Sequence, residues 1–148
     1  MENSSRTEKL AQVRVSEIMT KEIITVDHDD LIGKASRLML EHHLHSILVL
    51  KYSKPTYVLS AYDLMKVSYE DTFDEDRGDM LRTKVETLVE GQKMQFLPSN
   101  AKLLDALKII TEYSIHSIPI IDDGIIKGML SLMDLAHWYV ASHEELKS

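Results

Sequence analysis

The sequence predicts an α/β (α+β) fold in which two βαββα repeats pack together with pseudo-twofold symmetry. Three observations predict it. First, the chain of 148 residues repeats itself. The offset between His45 and His116 is 116 − 45 = 71, and sliding the chain by it pairs Ala35 with Ala106, Glu41 with Glu112, Ser46 with Ser117 and Ile47 with Ile118. The same shift pairs Leu59 with Leu130, Ser60 with Ser131, Asp63 with Asp134 and Leu64 with Leu135, without a gap. Second, each copy shows the same order of patterns: a short apolar run, a helical periodicity, two apolar runs around a polar turn, and a helix start. Third, helices on one side of a small three-stranded sheet leave its other face uncovered, so one copy cannot bury both faces alone.

Each element follows from local pattern. "EIITV" (22–26) and "KMQFL" (93–97) suit short first strands. "DLIGKASRLMLEHH" (30–43) places Leu31, Ile32, Ala35, Leu38, Met39 and His42 on one face at helical spacing, with Asp29 or Asp30 as N-cap. "AKLLDALKIITEY" (101–113) does the same with Leu103, Ala106, Leu107 and Ile110, and Asn100 as cap. Residues 47–50 and 118–121 read as buried strands. The polar connections "KYSKP" and "DDG" lead into third strands at 56–60 and 125–131, and second helices begin after Ser60 and Ser131. The crossover makes the first strand pair parallel, and the hairpin makes the second antiparallel. The resulting division is an N-terminal segment 1–13, a first repeat 14–69, an acidic linker 70–84, a second repeat 85–142 and a tail 143–148. The linker's acids suggest a calcium loop, but the ligand spacing and bidentate Glu of an EF-hand are absent, and a solvated acidic connection is expected.

Composition narrows the function. A formal net charge of -7 argues against a phosphate-backbone surface and against anionic membranes, so neither nucleic acid nor membrane is an expected partner. With no cysteine, disulfides, thiol catalysis and Cys-ligated zinc are excluded. No apolar run spans a bilayer and the N-terminus has no apolar leader, so a cytoplasmic location is the expectation.

The chemistry-bearing pattern is Ser-x-x-Asp, in "SAYDL" (60–64) and "SLMDL" (131–135). By itself it is a capping box, Ser at N-cap and acid at N3. Its place, where a strand's C-terminal end meets a helix N-terminus, is also where α/β sheets expose backbone donors to ligands. A carboxylate there accepts both hydroxyls of a ribose, and Gly128 lets a planar ligand approach the backbone. His45 and His116 precede buried strands, as packing residues or as donors to a phosphate. His42, His43 and His45 suggest a metal cluster, but positions i, i+1 and i+3 do not converge on one ion in a helix. No nucleophile elbow, Walker, dinucleotide or H-E-x-x-H motif is present, and the duplicated Asp63 and Asp134 suit equivalent binding sites better than an acid/base pair. No enzyme activity is expected.

The two patterns "VSEIMT…ITV…A…LM…HSILVL…SAYDL" and "VETLVE…A…II…HSIPII…GMLSLMDL" resemble the tandem cystathionine-β-synthase (CBS) domain pair, or Bateman module, over residues 13–142. The resemblance implies a regulatory sensor module, here stand-alone, with no required cofactor and with clefts between the repeats for an adenosine-containing ligand such as AMP, ADP, ATP or S-adenosylmethionine. It implies ribose contacts from Ser60 and Asp63 beside Val58, and from Gly128, Met129, Ser131 and Asp134. It implies phosphate contacts at His45 and His116, with Ser46 and Ser117 standing where a related family has Arg, which removes a bidentate clamp. Pro119 belongs to the same predicted site. AMP, or S-adenosylmethionine with its own positive charge, is favoured over triphosphates. Tyr57, in place of Gly128, is expected to narrow the first cleft, and "KYSKPT" lacks the D-x-G turn, so the Asp134 site is the expected stronger one. Homodimerisation and a regulated protein partner are the expected outputs. The alternatives are a ligand-free dimerisation or adaptor module with "HWYV" (137–140) at its interface, and a metal-dependent enzyme.

Overall fold

The computed structural model describes residues 11–73 and 79–147, with side chains to His143. Part of the predicted N-terminal segment and the core of the acidic linker, residues 74–78, lie outside the described residues. The chain forms two compact units: a contiguous unit, Ile24–Met94, and a split unit that joins the segment through Ile23 to Gln95 onward.

In the contiguous unit, strands β1 (Thr25–Asp27), β2 (Ser46–Lys51) and β3 (Lys54–Ser60) form one sheet in that order. β1 runs parallel to β2, with Val26 opposite Val49, and β2 runs antiparallel to β3, with Leu48 opposite Val58. Helix α1 (Ile32–Glu41) crosses from β1 to β2 and α2 (Ala61–Thr72) follows β3. A 3-10 turn (Met80–Arg82) and a short α3 (Glu86–Val89) complete the unit. The core gathers Val26, Ile32, Ala35, Met39, Ile47, Val49, Tyr57 and Leu59, each large aliphatic side chain contributing about 1.5–3 kcal/mol by leaving water. Of the helix face predicted for α1, Leu31 and His42 are exposed. Asp29 and Asp30 do not cap it either: Leu31 is the N-cap, Thr83 carbonyl accepts from Ile32 N–H at 2.8 Å, and Asp30 instead accepts from Asp27 N–H at 2.8 Å. That bond, with Lys34, holds the Asp30 carboxyl below the usual carboxylate range.

The split unit contains α4 (Leu103–Tyr113), β4 (Ser117–Asp122), β5 (Ile125–Ser131) and α5 (Leu132–Lys147). The first strand expected at 93–97 shrinks to a single parallel bridge, Leu97 to Ile120. Pro98 follows directly and has no N–H to extend the ladder. Residues 11–23 supply the rest. Val15 N–H donates to Ala101 carbonyl at 2.9 Å and Leu103 N–H to Val13 carbonyl at 2.8 Å, which seats the start of α4 without the predicted Asn100 cap. Val15 then packs with Leu103, Ala106, Ile118, Ile120 and Leu130.

Both hairpins close through two left-handed residues, Tyr52 and Ser53 (φ 51° and 64°) in one unit and Asp123 and Gly124 (φ 51° and 78°) in the other. The missing D-x-G motif therefore does not alter the turn.

Candidate functional site

The two Ser-x-x-Asp stretches form the same box. Asp63 N–H donates to Ser60 Oγ at 3.1 Å and Ser60 N–H to Asp63 Oδ2 at 2.9 Å. Asp134 N–H donates to Ser131 Oγ at 3.1 Å and Ser131 N–H to Asp134 Oδ2 at 2.9 Å. Each box fastens the first turn of its helix, where about 1 kcal/mol is typical of a Ser cap. The histidine before each strand closes the same corner through its backbone: Ala61 N–H donates to His45 carbonyl at 2.8 Å and Leu132 N–H to His116 carbonyl at 2.9 Å. Both imidazoles are exposed, so they stand at the rim of the corner rather than in the core.

The second oxygen of each carboxylate separates the two corners. Asp134 Oδ1 accepts from Thr20 Oγ1 at 2.9 Å, so both oxygens of Asp134 are engaged. Asp63 carries only its capping bond among the described residues, leaving Oδ1 open to a ligand donor.

The strand edge before each corner is also closed differently. In the split unit Thr20 and Met129 exchange two main-chain bonds, Thr20 N–H to Met129 carbonyl at 2.8 Å and Met129 N–H to Thr20 carbonyl at 2.9 Å. In the contiguous unit the matching residue, Val58, meets a side chain. Gln92 Oε1 accepts from Val58 N–H at 2.8 Å, and Gln92 Nε2 donates to Val58 carbonyl at 2.9 Å.

Several predicted site residues are placed otherwise than the sequence suggests. A Cβ on Gly128 would come within 2.6 Å of Met19 Sδ and 2.9 Å of Thr20 carbonyl oxygen. At this glycine the chain's own Met19 and Thr20 take the space a side chain would fill. Pro119 is fully buried and Ser117 is buried. Tyr57 is 8 % exposed and belongs to the core of its unit, so its ring fills volume there. Ser46, Val58, Ser60, Met129 and Ser131 are half-buried. His42, His43 and His45 are exposed and form no ligand cluster; among the described residues the metal-type group that closes is Asp27, His28 and Asp29, within 4.8 Å. His28 Nδ1 is already 2.6 Å from Glu86 Oε2, and Lys51 Nζ donates to Glu86 Oε1 at 2.7 Å. The Lys51 ammonium, then His28, holds the Glu86 carboxyl below the usual carboxylate range, and Glu86 in turn raises the Lys51 ammonium. Of "HWYV", Trp138 packs against the split unit's core while His137, Tyr139 and Val140 are exposed.

The profile of the CBS domain matches the chain twice, over residues 15–70 and 85–141. The chain belongs to the CBS domain family. Among curated relatives, it is 22% identical over 144 residues to uncharacterized protein MJ1404 of Methanocaldococcus jannaschii, covering 91% of this chain and 34% of that protein. The chain thus spans about a third of that relative's length. It is 26% identical over 122 residues to the CBS domain-containing protein YhcV of Bacillus subtilis, covering 82% of each. Among solved structures, the CBS domain pair of protein MJ0100, in complex with 5'-methylthioadenosine and S-adenosyl-L-methionine, superposes with a TM-score of 0.73 at 15% identity, covering 86% of this chain and 99% of that one. The capping boxes of the two CBS repeats were legible as S-x-x-D. Met19, Thr20 and Gln92, which distinguish the corners, were not. Their only sequence trace is that the first repeat opens with Met-Thr where the second has Val-Glu.

Proposed function

We propose that this CBS pair is a regulatory module, without catalytic activity of its own, that binds an adenosine-containing ligand at its Ser/Asp corners. AMP and S-adenosylmethionine are the favoured ligands, and occupancy is passed on through dimer geometry or a partner protein. The observation that carries the reading is the carboxylate of Asp63, positioned by a capping box beside an edge strand and holding one oxygen open. That oxygen, with the helix N-terminus behind it, suits a sugar hydroxyl. The adenosine ligands bound by MJ0100 support the ligand class. The sequence ranks the Asp134 corner first; its filled second oxygen leads us to place the primary site at Asp63 instead. Exposed His45 and His116 then serve as phosphate donors, and in the absence of the Arg clamp they hold a phosphate lightly.

Titration calorimetry with AMP and with S-adenosylmethionine tests this. Asp63→Asn keeps an acceptor for the cap but loses the charge, and we expect at least about tenfold weaker binding with the melting temperature little changed. Asp134→Asn should weaken binding less. Equal affinity in wild type and Asp63→Asn sinks the assignment.

A second reading, a ligand-free dimerisation or adaptor module, is favoured by one feature. Tyr62, Met65, Tyr69 and Phe73 form an exposed stripe along α2, and beside it Met39, Leu40, Leu64 and Leu81 line a groove of about 610 Å³. Ligand effects cannot reach a partner unless the two states differ in affinity for it. A Tyr69→Glu chain that stays dimeric in light scattering would remove the stripe from the interface.

A further inference from the structure

We infer that Gln92 is a built-in occupant of a base-binding edge on β3, and that it must swing away before an adenine can sit there. The inference rests on the adenosine reading above and assigns a residue that gates it. β3 is an edge strand of its sheet, and an open edge offers adjacent N–H and C=O groups to any partner. At Val58 both groups are taken by one carboxamide, at 2.8 and 2.9 Å. A carboxamide presents an acceptor beside a donor in one plane. Adenine presents the same pair, N1 beside the N6 amino group, so Gln92 holds the place of a base. Val58 and Ser60 lie on the same side of β3, and Asp63, with its open oxygen, begins the next helix. A base on Val58 thus leaves its ribose facing Asp63.

The two units show why this edge, and not its counterpart, is displaceable. Met129 is held by the main chain of Thr20, which is tied further by Thr20 Oγ1 to Asp134 and by Met19 over Gly128. Opening that edge moves backbone. Gln92 is exposed, and its carboxamide leaves by rotating side-chain bonds alone. A ligand that binds only the open form has its affinity lowered by the fraction open, so Gln92 sets the threshold concentration of the sensor.

The test compares the full wild-type chain with Gln92→Ala and with Gln92→Asn, whose shorter side chain keeps the amide but cannot span both Val58 groups. AMP is titrated calorimetrically, with IMP as control, because IMP keeps ribose and phosphate while its hypoxanthine base reverses donor and acceptor along the edge. Hydrogen exchange at the Val58 amide is followed by NMR, which localises the event. Both variants should bind AMP about tenfold tighter, with the IMP affinity moving less than about twofold. The Val58 amide should exchange faster in the free variants and slow again with AMP. AMP affinity equal in all three proteins, with Asp63→Asn still weakening it, overturns the gate and leaves the adenosine reading standing. No binding of AMP or S-adenosylmethionine to any of them overturns both.

Discussion

The contiguous and split units carry the same backbone plan and satisfy it with different atoms. Position by position, 122 − 51 = 71, so Lys51 and Asp122 end equivalent strands with opposite charge. Lys51 is held by Glu86, whereas Asp122 accepts from both the hydroxyl and the amide of Ser99, which lowers its carboxyl. The hairpin after it needs two left-handed residues; Tyr52-Ser53 supplies them in one unit and Asp123-Gly124 in the other. On the third strand, Tyr57 brings its own ring to the core of its unit, whereas at the equivalent Gly128 the place of a side chain is taken by Met19. The outer edge is closed by a glutamine side chain at Val58 and by main chain at Met129. What duplication keeps is the geometric demand: a turn of fixed hand, a filled volume, a satisfied edge. Which residue meets the demand is free to change.

The largest test of this equivalence exchanges the fillers. Tyr57→Gly removes a buried ring with nothing to replace it and should cost about 3–5 kcal/mol in denaturant unfolding. Gly128→Ala should cost about 1–3 kcal/mol through overpacking, since Met19 can yield but Thr20 carbonyl cannot. If Gly128→Ala is neutral, the Met19 contact is not what the glycine serves. Next come the turns. Ser53→Gly should stabilise by about 0.5–1 kcal/mol and Gly124→Ser should destabilise by a similar amount, read as opposite shifts in melting temperature.

The smallest effects are in pH. The lowered Glu86 and Asp122 carboxyls contribute stability that is present above the ordinary carboxylate range and lost as pH falls through their depressed values. The raised Lys51 contributes stability that is present below the ordinary lysine value and lost as pH rises through its elevated one. Glu86→Gln should therefore flatten both limbs of a stability-pH profile, and Asp122→Asn only the acid limb. An alkaline limb that survives in Glu86→Gln would dissociate Lys51 from this network.

Local signals are legible in the sequence, whereas closures across the chain are not. Alternation and helical spacing located β2, β3 and their copies, and Ser-x-x-Asp located both helix starts, because each depends on neighbours within a few residues. Asp30 and Asn100 do not cap their helices, because the Thr83 and Val13 carbonyls reach the helix starts from elsewhere in the chain. The expected strand at 93–97 failed because its pairing depends on Pro98 and on how the chain enters the sheet. At the site, Gln92 meets Val58 across 34 positions and Thr20 meets Asp134 across 114. Neither residue's local sequence names the distant partner it meets.

The seating of Val15 against Ala101 and Leu103 has a consequence for synthesis. Residues 24–94 hold every strand of their sheet in one uninterrupted stretch, so that unit is complete as soon as it clears the ribosome. The split unit must keep its first segment waiting, with Val15 uncovered, until the ribosome has delivered the last strands. At elongation rates of about 5–20 residues per second, that is a wait of several seconds. During that interval Val13, Val15 and Ile18 lack the partners that bury them in the finished unit.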